Sequence, residues 1–139
     1  MSITQDITEL TARFVARWNV LRSTVPVIYD NQPAVTIDPN VIHVRFTVRP
    51  GATQRQSMGI SSIRHKQLGR VYIQIMTPKG KGTATSQALA DDAANIFRLW
   101  RSADQMLQVF EPEITTLPAS DDDYHVITVQ ARYEAIRIY

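Results

Sequence analysis

Hydrophobic residues recur along this chain with two periods, and the change from one to the other marks its elements. From Gly69 to Thr77 the pattern alternates, with Val71, Ile73 and Ile75 on one side and Tyr72, Gln74 and Met76 on the other. A period of two predicts a strand with one face on a core. Pro78-Lys-Gly-Lys-Gly-Thr83 interrupts it, since proline lacks a ladder donor and glycine tolerates positive φ. From about Thr85 the spacing lengthens: Leu89, Ala93, Ile96 and Trp100 recur at three- and four-residue steps, the apolar stripe of a helix. Asp91 and Asp92 fall early in it and Arg98 and Arg101 late, each charge at the end its dipole favours.

The other segments are read in the same way. Ser2-x-x-Gln5 fits a capping box, and Ile3, Ile7, Leu10, Phe14, Trp18 and Leu21 follow at helical spacing, predicting a helix over about 3–22 with Phe14 and Trp18 in the core. Pro26, Pro33 and Pro39 punctuate the next stretch, leaving room for a short edge strand near Val25 to Tyr29. Val41 to Arg49 is the cleanest strand: Ile42, Val44, Phe46 and Val48 share one face, and His43, Arg45, Thr47 and Arg49 the other. Pro50 and Gly51 are expected to end it. A long, polar, basic β-hairpin arm over about 50–69 then projects, with strand pieces near Gln56 to Ile63 and a turn at His65 to Gly69. Gln108 to Glu111 is a further short strand and Glu113 to Asp123 a loop. Tyr124 to Tyr139 closes the chain, with a break expected near Glu134, where the apolar set changes sides. This order predicts an α+β domain spanning residues 1–139: a mostly antiparallel sheet with two main helices packed on one face.

Composition narrows the class. At 139 residues and 44% hydrophobic, one domain with a single core is expected. The absence of cysteine excludes disulfides and thiolate metal sites. No apolar run reaches membrane-spanning length, and the first residues have neither the basic nor the apolar region of a signal peptide, so no membrane partner and no leader are expected. The net charge of +2 conceals a segregation. No acid lies between Asp38 and Asp91, a stretch holding Arg45, Arg49, Arg55, Arg64, Lys66, Arg70, Lys79 and Lys81. From Asp91 to Tyr139 nine acids face four bases. A basic region attracts nucleic acid, or the acidic region of a neighbouring copy; for a chain carrying both signs the second reading is preferred.

No motif carries chemistry. Gly80-Lys81-Gly82-Thr83 lies between a strand and a helix, but a phosphate loop needs Gly-Lys-Ser/Thr with a glycine five residues earlier. His43, His65 and His125 have no ligand spacing, and Asp121-Asp122-Asp123 lacks the pattern of a calcium loop. No nucleophile with a base, and no acid pair, can be assembled. Neither catalysis, nor a cofactor, nor a metal is expected.

Taken together, the layout resembles the tail terminator (tail completion) proteins of long-tailed phages. The likeness is carried by the helix ending in Phe14-Val-Ala-Arg-Trp18, by Val27-Ile-Tyr-Asp30, by the strand Ile42 to Arg49, by Gly69-Arg-Val-Tyr-Ile-Gln-Ile75, by the Gly80/Gly82 loop, by the Ala88–Phe97 helix and by the closing strand. The resemblance implies a structural virion protein without catalytic residues, assembled in the host cytoplasm. It implies a hexameric ring at the head-proximal end of the tail that stops tube polymerisation and serves head–tail joining. Its partners would be further copies, the tail tube protein and the head–tail connector, with DNA passing through the ring. Alternatives are another head–tail connector or completion protein of this size, or a small basic nucleic-acid binder. On charge placement, Arg55, Arg64, His65 and Lys66 of the hairpin are candidates to meet a neighbour or the tube, with Lys79 and Lys81 as further cationic candidates. Arg45, Arg49 and Arg70 are candidates to pair with Asp91, Asp92 or Asp121, Asp122 and Asp123 of the next copy.

Overall fold

The computed structural model describes residues 3–22, 24–29, 42–55, 64–78, 84–103, 105–116 and 124–138. Helix α1 (Ile3–Leu21) is followed by strands β1 (Val27–Tyr29), β2 (His43–Arg55) and β3 (Arg64–Pro78). Helix α2 (Ala84–Phe97) leads to β4 (Leu107–Val109), β5 (Glu113–Thr116) and β6 (Tyr124–Ile138). The strands form one sheet in the order β1-β2-β3-β6-β4, with β5 also paired to β6. Every pairing is antiparallel except that of β1 with β2. The fold is therefore the α+β arrangement expected, and neither helix is long and apolar enough to cross a membrane.

Both helices lie on one face of the sheet, and the alternation along the strands fixes which face. Val44, Phe46 and Val48 of β2, Val71, Ile73 and Ile75 of β3, and Ile127, Val129 and Ala131 of β6 are buried under Leu10, Phe14 and Trp18 of α1 and Leu89, Ala93, Ile96 and Phe97 of α2. Each Val, Leu, Ile or Phe among them contributes about 1.5–3 kcal/mol on burial. Phe14 joins the layers: its ring stacks 4.6 Å from Phe46 and 5.3 Å from Trp18, centroid to centroid. The helices are tied to each other where Arg22 Nε donates to Asp92 Oδ2 at 2.7 Å and Arg13 Nε donates to the Ile96 carbonyl at 3.1 Å.

Five expectations are corrected. Helix α2 ends at Phe97, so Arg98, Trp100 and Arg101 lie beyond it and Asp91 and Asp92 sit mid-helix rather than in the first turn; Arg101 instead bridges Gln108. Pro50 and Gly51 do not end β2; it continues to Arg55 through a β-bulge between Pro50 and Thr53. The reason is Gln67, whose buried side chain donates to the carbonyls of Gly51 and Leu68, both at 2.8 Å, and accepts from Thr53 Oγ1 at 2.6 Å. One amide thus satisfies the backbone that the bulge leaves unpaired. Residues His65 to Gly69 are not a turn but part of β3, sandwiched between β2 and β6. Strand β6 has no break at Glu134; it pairs with β3 in constant register from Tyr124 to Ile138. Ile136 therefore lies on the face opposite Tyr133 and Ala135. Finally, Glu113 to Thr116 is a strand rather than a loop, held by the free edge of β6. The stem of the expected arm is thus continuous with the sheet. Its tip at 56–63 lies outside the described residues, as do the glycine loop, Lys79, Lys81 and Asp121 to Asp123.

Candidate interaction surface

The second face of the sheet carries no helix among the described residues; it mixes polar and apolar side chains with four exposed arginines. Parity puts them there: whatever alternates with the buried Val44, Phe46 and Val48 must point away from the helices, and the same holds on β3 and β6. Arg45 and Arg49 of β2, Arg70 of β3 and Arg132 of β6 are all exposed. Register decides how they meet. Arg49 stands opposite Arg70, and Arg70 opposite Arg132, so three arginines form one row across three adjacent strands. Side chains directly opposite in a sheet lie about 5 Å apart at Cβ, where like charges repel.

Little among the described residues neutralises this row. The ion pairs among the described residues are Arg22–Asp92, Lys66–Glu134 and Arg98–Glu111. None involves Arg45, Arg49, Arg70 or Arg132. The Arg132 guanidinium sits 5.6 Å above the Phe110 ring, a cation–π contact that orients the group without removing its charge. Around the row, Leu68, Tyr72 and Phe110 wall a groove of about 500 Å³ that Arg49, Arg70, Arg132 and Lys66 also line. A second hollow, of about 580 Å³, runs from Tyr29 past Arg45 and Arg49 to Gln74.

The other candidates are dispersed. Lys66 is half-buried, its Nζ 2.8 Å from Glu134 Oε1. His65 is half-buried on β3, and the backbones of Arg55 and Arg64 stand at the outer ends of β2 and β3. Asp92 is occupied by Arg22, whereas Asp91 is exposed on α2, on the helical side of the molecule. The structure thus brings together Arg45, Arg49 and Arg70, and adds Arg132 and Phe110. The alternation Ile127, Val129, Ala131, Tyr133 already assigns Arg132 to the polar side. Its adjacency to Arg70 is a property of register, which no local pattern contains. Among the described residues, no three His, Cys, Asp or Glu side chains converge on a point where a metal ion could bind.

Comparison with known proteins agrees with this architecture. One solved protein structure superposes with a TM-score of 0.65 at 22% identity, 96% of each chain being covered; at that identity the likeness concerns the fold. No curated protein sequence matches. The profile of the family described as phage tail terminator protein matches residues 7–133, from the middle of the first turns of α1 to Tyr133 on β6. The chain belongs to the phage tail terminator family and is a structural component of the phage tail.

Proposed function

We propose that copies of this protein close into a ring on the head-proximal end of the tail tube, stop its polymerisation and present a surface for joining the head. The chain acts as one domain in this role, without catalysis, and the expected ring is a hexamer. The observation that carries the proposal is the sheet face opposite the helices, where Arg45, Arg49, Arg70 and Arg132 are exposed and paired to no described carboxylate. Such a face is repulsive in an isolated chain and becomes favourable when a complementary surface covers it. With helices on one side and the exposed arginines of the sheet on the other, the described residues present two unlike faces. A contact between unlike faces is heterologous, and it closes into a ring when the rotation per copy allows.

The direct test is to purify the protein, measure its mass by light scattering and image it in negative stain, alone and with tail tubes. Rings, free or seated on one end of each tube, together with arrest of tube growth, are expected. Tubes that elongate at an unchanged rate in excess protein would refute the capping role. The arginine face also favours a second reading, a nucleic-acid binder. That reading requires DNA affinity falling steeply with salt, by about one power of the salt concentration per phosphate neutralised.

A further inference from the structure

We infer that strand β5 of one copy pairs with strand β1 of the next, so that the sheets of neighbouring copies join edge to edge. The inference rests on the ring reading above and adds a hydrogen-bonded component to the contact between copies.

The margins of the sheet end in different ways. β4 is closed on its outer side: Val109 N donates to the Trp100 carbonyl at 3.0 Å, Ser102 N donates to the Leu107 carbonyl at 2.8 Å, and Arg101 bridges Gln108. β5 and β1 have no such cover among the described residues. All of β5 is exposed and all of β1 is half-buried. Sheets commonly blunt a margin of this kind with lysine, proline or an inward charge. Neither Val27–Tyr29 nor the run Ile114 to Thr116 carries any of these. Each residue of both is β-branched or aromatic, the types that favour strand pairing.

Hydrogen bonds show which backbone groups point outward. Phe110 N donates to the Arg132 carbonyl at 2.9 Å, so the even-numbered residues of β6 turn their groups toward β4 and β5. Gln130 and Thr128 therefore engage Glu113 and Thr115, and the N–H and C=O of Ile114 and Thr116 point away from the sheet. At the other margin, Val44 N donates to the Pro26 carbonyl at 3.0 Å. By alternation Ile28 also faces β2, while the N–H and C=O of Val27 and Tyr29 point away from it. Each margin thus offers donors and acceptors on a pair of residues spaced by two.

Side-chain parity matches as well. Ile114 and Thr116 stand opposite the buried Val129 and Ile127, on the helix side of the sheet. Val27 and Tyr29 neighbour Val44 and Phe46 on that same side, where the Tyr29 ring meets Phe14 and Phe46 edge-on. Pairing outward residue with outward residue therefore keeps the helices of both copies on one side. The opposite parity at either margin would have put them on opposite sides. Direction follows from topology. β1 runs parallel to β2, and the antiparallel steps β2–β3, β3–β6 and β6–β5 leave β5 running against β1. A rotation about an axis along the strands preserves their direction, so β5 meets the β1 of the next copy antiparallel. Tyr29 then faces Ile114 and Val27 faces Thr116, each pair exchanging both of its backbone hydrogen bonds, with Ile28 opposite Thr115 between them. The resulting aromatic and β-branched neighbours are of the kind that stabilise sheets. Two unlike edges make a heterologous contact, the kind that closes into a ring.

Disulfide trapping tests this, because the chain has no cysteine of its own. Ile28 and Thr115 would form a non-hydrogen-bonded pair with Cα atoms about 4.5 Å apart, within disulfide reach. In one copy β2, β3 and β6 separate β1 from β5 by about 19 Å, so a bond between these positions joins different copies. Oxidised assemblies of the double variant Ile28→Cys, Thr115→Cys, alone and on tail tubes, are expected to give a ladder of covalent multimers on a denaturing gel, with each single variant monomeric. Ile114→Pro removes one outward donor while Glu113 and Thr115 keep the bonds to β6. It is expected to weaken self-association at least about tenfold by light scattering with an unchanged circular dichroism spectrum. Wild-type rings without a ladder in the double variant, or full assembly of Ile114→Pro, overturn the inference and leave the ring reading standing. A covalent dimer from Thr115→Cys alone would assign β5 to a two-fold pairing with itself and overturn it too. If the wild type forms no ring with or without tail tubes, both readings fall.

Discussion

Tyr133 and Gly69 are opposite one another on β6 and β3, and the tyrosine ring lies over the glycine. A Cβ built at Gly69 would come within 2.4 Å of that ring, so the ring's position excludes any larger residue. The Tyr133 hydroxyl is buried and has no hydrogen-bond partner among the described residues. An unpaired buried hydroxyl is a cost without a return, so Tyr133→Phe is expected to raise stability by roughly 1 kcal/mol in urea denaturation. Burial also raises its pKa above the ordinary value near 10. The folded state then keeps this proton when the unfolded chain has begun to lose it. Stability is therefore intact below pH about 10 and falls as the pH rises through the raised value. Tyr29 is shifted in the same direction by the same cause. Tyr133→Phe should consequently remove part, not all, of the alkaline loss seen in denaturation midpoints between pH 9 and 11; an unchanged alkaline slope would count against this account.

At the scale of elements, the long hairpin of β2 and β3 depends on one polar side chain. Gln67 is 1% exposed, and its amide joins Thr53, Gly51 and Leu68. Gln67→Leu keeps much of the volume but removes the three hydrogen bonds that the amide makes to Thr53, Gly51 and Leu68. It is expected to cost about 1–3 kcal/mol and to speed hydrogen exchange at Thr53 and its neighbours, while exchange in α2 stays slow. An equal acceleration in both places would show that the bulge is not the part held by Gln67. The helices were legible because their stripes are long and regular. The bulge was not: Pro50-Gly51 reads locally as an end, and the reason β2 continues is an amide sixteen residues away in sequence. Strand β5 was missed on similar grounds. All four of its residues are exposed, so it has no alternation to detect and exists because β6 offers an unpaired edge.

For the whole molecule, the sheet face costs stability in the free chain, a cost that the proposed assembly would relieve. Three arginines in one cross-strand row repel each other in the free chain. Arg70→Gln removes the middle charge and is expected to stabilise the isolated chain by roughly 0.2–1 kcal/mol at low salt. The gain should disappear at about 1 M salt, where the screening length falls to about 3 Å. The same substitution should weaken self-association. A variant that is both less stable and fully able to assemble would contradict this view of the row.

What the sequence determined by itself is what short-range periodicity encodes: two amphipathic helices, alternating strands, the side of each strand that faces the core, and a basic middle against an acidic end. These follow from spacings of two and of three to four residues, which any local segment displays. Arg45, Arg49 and Arg70 were visible as outward-facing charges on that basis. What only the tertiary structure decided is which segments are neighbours. The pairing of β3 with both β2 and β6 brought Arg132, from the acidic third of the chain, beside Arg70, and turned a diffuse basic region into a row of three. It also engaged Lys66 and Asp92 within the chain. Strand register is set by the summed packing of a buried face, so it belongs to the assembled sheet and to no single strand.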